Sequence, residues 1–430
     1  MEQLEKIYAL FKESLGIFTD SRKIINNGLF FALKGPKFDG NQYAKEAIEK
    51  GAIAAIIDDK KISLTSNKFY LVENAHDVLK KLANFHRKKL KCPVLGITGS
   101  NGKTTTKELI KSVLKSKYKT NATFSNQNNN IGVPLTLLNT PLNSEFTIIE
   151  MGANHIGEIA ELCEIADPTC GFITNFGQAH IEGFGSEKGV EDGKSELYEY
   201  LNKSNGTIFL NIDNKNQLKR VNKKLCISFG ENKKANYSFI YKKHKNFLEI
   251  EFNDKKFSCN LYGSYNFPNI AASIVVGDYF KVSLTQIQKS LKKFILNNNR
   301  SELVSSKKHK IILDAYNANP SSMEIAINCF YNEFPKNNLI IIGDMFELGK
   351  KTIPAHQKIM KLTGNLCFTK IITVGENFFK SKTNAKNCMK FKKTKDLVKY
   401  LSQNTINENH ILVKGSRAMN LEKILPLIIK

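Results

Sequence analysis

The 430-residue sequence predicts an α/β protein divided into three domains. Short apolar runs alternate with amphipathic, charged stretches along most of the chain, as helices covering a mostly parallel sheet require. Three successive runs in the middle of the chain end in polar residues, and in open parallel sheets the carboxyl ends of the strands carry the ligand. The same alternation starts afresh near Arg300, and a chain this long exceeds one ordinary hydrophobic core.

Residues 1–88 form the first expected unit. Leu29-Phe30-Phe31-Ala32-Leu33 and Ile53-Ala54-Ala55-Ile56-Ile57 read as strands between glycine-containing and charged turns, with a helix over 43–50. A lysine-rich amphipathic segment, 78–90, then leads through Pro93 into a new strand and sets a boundary within 85–92. The second unit, 89–298, carries strands at Val94-Leu95-Gly96-Ile97-Thr98, Phe146-Thr147-Ile148-Ile149-Glu150 and Gly171-Phe172-Ile173-Thr174-Asn175. Its 228–260 stretch looks antiparallel, and a helix is expected over 269–280. The third unit, 299–430, has strands at Lys310-Ile311-Ile312-Leu313, Asn338-Leu339-Ile340-Ile341-Ile342, Lys370-Ile371-Ile372-Thr373-Val374 and His410-Ile411-Leu412-Val413. Helical segments separate them, a doubly wound, Rossmann-like arrangement.

The formal charge of +24 raises the question of a nucleic-acid partner. The lysines are spread over the whole length and lack the clustering with interleaved aromatics that a nucleic-acid groove needs. A solvated surface that gathers anionic small molecules is the expectation, with no nucleic acid bound. No window is apolar and long enough for a transmembrane helix, and Met1-Glu2-Gln3-Leu4-Glu5-Lys6 lacks a basic-then-apolar leader, so a cytoplasmic protein without membrane insertion is expected. A monomer is the expected state. The eight cysteines are scattered without C-x-x-C or zinc spacing and read as reduced, mostly buried thiols.

The strongest local signal is Thr98-Gly99-Ser100-Asn101-Gly102-Lys103-Thr104-Thr105. A strand precedes it, and a helix over 103–115 follows with Leu109, Ile110, Val113 and Leu114 inward. Glycines in such a turn let backbone N–H groups face an anion, which makes the central unit P-loop ATPase-like and ATP the expected ligand. Lys103 belongs on the β- and γ-phosphates and the Thr104 hydroxyl on Mg²⁺. The spacing departs from the common form, because position 97 is Ile and the earlier glycines are Gly96 and Gly99. Glu150 ends an apolar strand, and a carboxylate facing the crevice of Thr104 suits Mg²⁺. Taken singly, His180 reads as a hydrogen-bonded structural residue and Lys194 as a surface lysine.

Together these residues resemble the Mur ligases, the family that adds successive amino acids to the bacterial cell-wall precursor. The loop 98–105, Glu150 and the segment from Thr174-Asn175 to His180 match that family's ATPase domain. Gly263-Ser264-Tyr265-Asn266-Phe267-Pro268-Asn269-Ile270-Ala271-Ala272 is similar to its G-x-H-N-x-x-N-x-x-A-A element, with Tyr265 in place of the usual histidine. Asn128-Asn129-Asn130-Ile131-Gly132-Val133-Pro134, Asp314-Ala315-Tyr316-Asn317-Ala318-Asn319-Pro320, Gly343-Asp344-Met345-Phe346-Glu347-Leu348-Gly349 and Val413-Lys414-Gly415-Ser416-Arg417-Ala418-Met419 narrow the resemblance. They look like the motifs of the branch that joins D-alanyl-D-alanine to UDP-MurNAc-tripeptide through an acyl phosphate.

The resemblance implies roles residue by residue. The ATP contacts would be Gly99, Ser100, Asn101, Gly102, Lys103, Thr104 and Thr105, with Asn269 on adenine, Arg300 on the γ-phosphate and Asp314 on the ribose. Thr104 and Glu150 would bind one Mg²⁺. His180 and a carbamylated Lys194 would serve a second, and with Lys103 and Arg300 they form the implied catalytic set. Ser21, Arg22 and Lys34 resemble the part that holds the UDP group, while Asn128, Asn129, Asn317, Asn319 and Arg417 are expected to contact substrate. Another amino-acid-adding Mur ligase or a folylpolyglutamate synthetase would share the loop, as would a basic nucleic-acid-binding NTPase. The motifs at Asp314 and Lys414 argue against the first two, and the dispersed lysines against the third.

Overall fold

The computed structural model describes residues 2–63, 66–221, 226–243, 248–296 and 299–429. It is α/β throughout, with three main sheets that follow one another along the chain. The first is four-stranded and parallel, in the order Ile17–Phe18, Leu29–Phe31, Ala54–Ile57, Phe69–Leu71. Its inner strands are buried along their length, which explains why they read as continuous apolar runs rather than alternating ones. An N-terminal helix, Glu2–Glu13, which sequence reading did not anticipate, turns Ile7 and Tyr8 into the core.

The helix Ala75–Arg87 starts where the Asn74 side chain accepts from Asp77 N–H and buries Leu79, Leu82, Ala83 and His86. It packs on the helices Gly132–Leu138 and Glu158–Ala166 of the central unit. One apolar cluster therefore runs from Ile7 and Leu29 through Leu82 to Ile149 and Leu197, joining the first two units in a single core. Arg87 is buried at this junction. Its Nε donates to Ala166 O at 2.9 Å, and its terminal nitrogens to Asp167 O at 2.8 Å and Leu90 O at 3.3 Å. His86 lies between the Tyr8 hydroxyl at 3.1 Å and Thr140 O at 2.9 Å, and burial pushes its pKa down.

The central sheet is seven-stranded, in the order Tyr237–Ser238, Cys226–Gly230, Thr207–Asn211, Cys170–Ile173, Val94–Thr98, Phe146–Glu150, Thr120–Ala122. All of its pairings are parallel, including those of Cys226–Gly230 and Tyr237–Ser238, which corrects the start of the expected antiparallel segment. The antiparallel part is a separate three-stranded sheet, Ile240–Lys243, Leu248–Phe252 and Lys255–Cys259, and residues 244–247 lie outside the described ones. Leu248, Ile250 and Phe252 are buried while Glu249 and Glu251 between them are not, the alternation of a sheet covered on one face. The helix Phe267–Tyr279, apolar on nearly every side, is sandwiched against the helix Lys103–Leu114.

The last sheet has six strands, in the order Glu302–Ser305, Lys310–Asp314, His410–Lys414, Asn338–Gly343, Lys370–Val374, Cys388–Phe391, with only the first antiparallel. Residue 298, the last of the expected second unit, lies outside the described residues. Register places Asp314 beside Lys414 at the carboxyl edge. The cysteines are all unbridged; four are buried and Cys367 is exposed. Among the described residues no helix is long and apolar enough to cross a membrane.

Removing the Arg87 guanidinium would take its donors from the buried Ala166 carbonyl and the half-buried Asp167 carbonyl and open a void at the junction. Arg87→Ala is expected to lower the unfolding free energy by about 2–4 kcal/mol, read from the urea midpoint at unchanged slope.

Candidate active site

A cavity of about 840 Å³ opens where the carboxyl ends of the central and C-terminal sheets face each other. At its base the strand Val94–Thr98 turns into the helix Lys103–Leu114. Gly99 has φ +135°, and a Cβ there would stand 2.0 Å from Thr174 Oγ1, so only glycine brings the turn this close to the next strand. The neighbouring loop grips the turn at Asn101. Thr174 Oγ1 and Asn175 Nδ2 donate to Asn101 O at 2.6 and 3.0 Å, while Asn101 N donates to Asn175 Oδ1 at 3.1 Å. The Ser100 hydroxyl donates to Gly177 O at 3.0 Å. Lys103 Nζ folds back onto Gly99 O at 2.6 Å. Burial lowers the Lys103 pKa to about 8, with the Glu150 charge opposing that shift and Arg300 adding to it.

Glu150 is buried at the end of its strand, beside the turn. Its Oε1 accepts from Thr104 Oγ1 at 3.1 Å and from Asn128 Nδ2 at 2.9 Å, whereas its Oε2 is buried without a hydrogen-bond partner. The Thr104 hydroxyl and the Glu150 carboxylate, with its Oε2 left unpartnered, form an all-oxygen donor set that fits a hard divalent cation. Asn128 lines the cavity as well, and Asn129 Oδ1 caps the helix Gly132–Leu138 by accepting from Gly132 N–H at 2.9 Å.

Lys194 is not a surface lysine. It is fully buried on the helix Glu187–Ser204, its Nζ donating to Ala153 O at 2.9 Å and lying 4.8 Å from the Phe184 ring centre. Burial and then the charge of Lys103 hold its pKa well below the usual lysine range, with Glu158 and Glu196 opposing. Reading Lys194 as exposed followed from residue type alone; only the fold of the Ala153 loop over this helix encloses it. His180 sits in the left-handed region at φ 54°, with Nδ1 2.6 Å from the Glu347 carboxylate across the domain boundary. That contact lowers the Glu347 pKa.

On the other side of the cavity, Asn269 lies directly beneath Gly102, and its amide is engaged by Thr106 Oγ1 at 3.1 Å and Asn266 Oδ1 at 2.8 Å. The hydroxyl of Tyr265, the residue that departs from the family pattern, meets Ser301 Oγ at 2.9 Å, and burial raises the phenol's pKa. Arg300 stacks on Tyr316, its guanidinium carbon 3.8 Å from the ring centre, with Nε buried and unpartnered. Asp314 Oδ2 accepts from Lys414 Nζ at 2.6 Å, leaving Oδ1 to Ser301 N–H at 3.3 Å.

The remaining expected residues divide. Asn317 lines the cavity. Asn319 caps the helix Pro320–Glu333 and reaches back to the phosphate turn, donating to Asn101 Oδ1 at 2.8 Å, so its side chain is committed to joining the domains. Arg417 is exposed and paired with Glu422 at 3.1 Å, outside the cavity lining. Ser21 and Arg22 lie in the turn after the strand Ile17–Phe18, Lys34 lies in a short two-stranded ribbon with Phe38–Asp39, and none of the three lines the cavity. Arg22 pairs with Asp20 at 2.8 Å, and Lys34 with Asp58 at 2.9 Å. Sequence reading passed over Glu347, Ser321 and Tyr316, although Glu347 and Tyr316 stand inside quoted motifs. Glu347 and Ser321 find partners in the central unit, and Tyr316 meets Arg300, which lies in the bend that precedes the C-terminal sheet, so no spacing rule marks them.

Three family models account for most of the chain: Mur ligase family, catalytic domain, over residues 15–87; Mur ligase middle domain, over 97–277; and Mur ligase, glutamate ligase domain, over 299–417. A Bacillus subtilis UDP-N-acetylmuramoyl-tripeptide--D-alanyl-D-alanine ligase is 31% identical over 428 residues, covering 96% of this chain and 93% of the relative. Among solved structures, a MurF from Acinetobacter baumannii superposes with a TM-score of 0.89 at 25% identity, covering 100% of this chain and 98% of the other. A MurF ligase from Thermotoga maritima in complex with ADP superposes with a TM-score of 0.84 at 27% identity, with 98% of each chain covered. With relatives that similar over nearly its whole length, and with a nucleotide-shaped turn at the heart of its cavity, the chain belongs to the Mur ligase family.

Proposed function

We propose that this chain is an ATP-dependent ligase that joins D-alanyl-D-alanine to UDP-MurNAc-tripeptide, releasing ADP and phosphate in peptidoglycan precursor synthesis. The observation that carries the reading is the meeting of Lys103, Thr104 and Glu150 with Arg300, Asp314 and Lys414 around one cavity built from two domains. Relatives of this chain bear that activity in their names, and one is named in complex with ADP. In this reading residues 1–88 hold the UDP group through Ser21, Arg22 and Lys34, residues 89–298 bind ATP, and residues 299–430 complete the ATP site and receive the dipeptide.

The chemistry follows from charge. The terminal carboxylate of the tripeptide attacks the γ-phosphorus and ADP leaves, giving an acyl phosphate. The dipeptide's neutral amine then attacks the acyl carbon, and phosphate departs with the amine's proton. Two anions must meet in the first step, so Lys103 and Arg300 reduce their repulsion. Mg²⁺, held by Thr104 and Glu150, would supply further neutralisation of the phosphate charge. The contact of Asn319 and Ser321 with Asn101 holds the C-terminal domain over the turn, which keeps water from the acyl phosphate and orients the reactants. Asp314 can serve the ribose only if Lys414 shares it or moves.

Lys194 is the proposed site of carbamylation. A depressed pKa favours the neutral amine, the form that adds to carbon dioxide with loss of one proton, and the product is an anionic oxygen donor in place of a cation. Incubation with carbon-13 bicarbonate is expected to give a carbamate resonance that Lys194→Gln lacks; equal spectra would remove the modification from the mechanism.

Purified protein with ATP and Mg²⁺ should release phosphate only when both UDP-MurNAc-tripeptide and D-alanyl-D-alanine are present. Release without either, or none with both, sinks the assignment. Lys103→Ala should abolish turnover and leave the melting temperature near that of the parent. The sign of the pH effect is set by the Lys103 pKa of about 8 in the empty site. Bound polyphosphate favours the ammonium, so ATP affinity falls as pH rises through about 8, and above that pH binding takes up close to one proton. Calorimetry in buffers of different ionisation enthalpy measures the uptake, which Lys103→Ala should lose.

A further inference from the structure

Lys107 stands one turn beyond Lys103 on the helix Lys103–Leu114, and its side chain is completely buried. A lysine without exposure must have its donors occupied. Nζ donates to Thr123 O at 2.7 Å and to Ser125 O at 3.3 Å, and lies 3.0 Å from the Glu108 carboxylate. No step of the ligase chemistry uses this group. Its surroundings do: Nζ is also 3.7 Å from Glu150 Oε2, the carboxylate oxygen that has no hydrogen-bond partner. That distance is too long for a hydrogen bond and short enough for strong attraction.

The turn that Lys107 holds is the one behind Glu150. Thr123 Oγ1 accepts from Glu150 N–H at 2.9 Å. Ser125 occupies the left-handed region at φ 51°, a conformation that a non-glycine residue keeps only where its surroundings enforce it. Three residues further on, Asn128 clamps Glu150 Oε1. Lys107 therefore ties the nucleotide-binding helix to the start of the loop that orients the carboxylate.

We infer that Lys107 is a positioning residue for the divalent-cation site. Its N–H groups are spent on two carbonyls and Glu108, so its charge balances Glu150 through space without taking the lone pairs of Oε2. Glu150 is left with one oxygen clamped and the other unbonded. The inference rests on the proposed cation site at Thr104 and Glu150, and it goes beyond the roles assigned to the loop.

The test uses the full chain with Mn²⁺ as the metal probe and ADP as the nucleotide. Free Mn²⁺ is followed by electron paramagnetic resonance, and metal-free ADP affinity by calorimetry. Lys107→Met removes charge and hydrogen bonds, Lys107→Gln keeps a donor without charge, and Lys107→Arg keeps the charge. Loss of a group that supports a metal ligand weakens metal affinity about 10-fold or more, so Met and Gln should show that drop and Arg should stay within about 3-fold of the parent. Metal-free ADP affinity should be unchanged in all three. Parental Mn²⁺ affinity in folded Lys107→Met or Lys107→Gln overturns the inference, as does a parallel loss of metal-free ADP affinity. Failure of both neutral variants to fold would also overturn it, since Lys107 would then be purely structural. If the parent protein with ADP binds no Mn²⁺, the cation site itself falls, and that outcome is distinct from the others.

Discussion

Asn101 is gripped through its backbone by two side chains of the adjacent strand's loop, Thr174 and Asn175, and through its side chain by Asn319 and Ser321 of the C-terminal domain. The turn from Ser100 to Thr104 is thereby fixed in space before any anion arrives, with the N–H of Asn101 itself held by Asn175 Oδ1. Parallel pairing of Val94–Thr98 with Cys170–Ile173 on one side and Phe146–Glu150 on the other sets the spacing. That pairing places Thr174 and Glu150 on opposite flanks of the same turn. A one-residue slip in either strand would send these side chains to the wrong face.

Cations that oppose one another gather in and behind the cavity, Lys103 and Arg300 on its lining and Lys194 buried outside it. Lys103 feels Arg300, Lys194 feels Lys103, and burial acts on both lysines in the same direction. Such a cluster is unfavourable when empty and becomes favourable when polyphosphate and carboxylate enter, so binding energy is concentrated where negative charge accumulates. Glu150 tempers the repulsion at Lys103, and Glu158 and Glu196 temper it at Lys194. The overall positive charge of the chain works in the same sense at longer range.

The domains are joined with unequal strength. The first sheet and the central unit share an apolar cluster, reinforced by Arg87 and His86. The C-terminal domain has its own clusters, one of which takes in Tyr262 of the central unit, and otherwise meets the centre through polar contacts such as Asn319 with Asn101 and Glu347 with His180. A few hydrogen bonds are easier to break than a shared core, so this junction is the weaker of the two.

Strand-rich stretches with one dominant period were legible from residue order. The runs at Val94, Phe146, Asn338 and Lys370 are buried on both faces, and local composition alone marks such strands. The phosphate turn was legible too, because glycine, lysine and threonine at those spacings answer to backbone geometry within a few residues. The helix Glu2–Glu13 carried a readable pattern in Leu4, Ile7, Tyr8 and Phe11 that was passed over, and the direction of Cys226–Gly230 was not readable because pairing sense is a property of two strands. By itself, the sequence determined the α/β class, the nucleotide turn and the family. Tertiary structure alone decided that Lys194 and Lys107 are buried, that Glu347 meets His180, and that Asn319 serves the domain junction. The reason is physical: burial and charge pairing depend on residues tens to hundreds of positions apart, and only the folded chain brings them within a few ångströms.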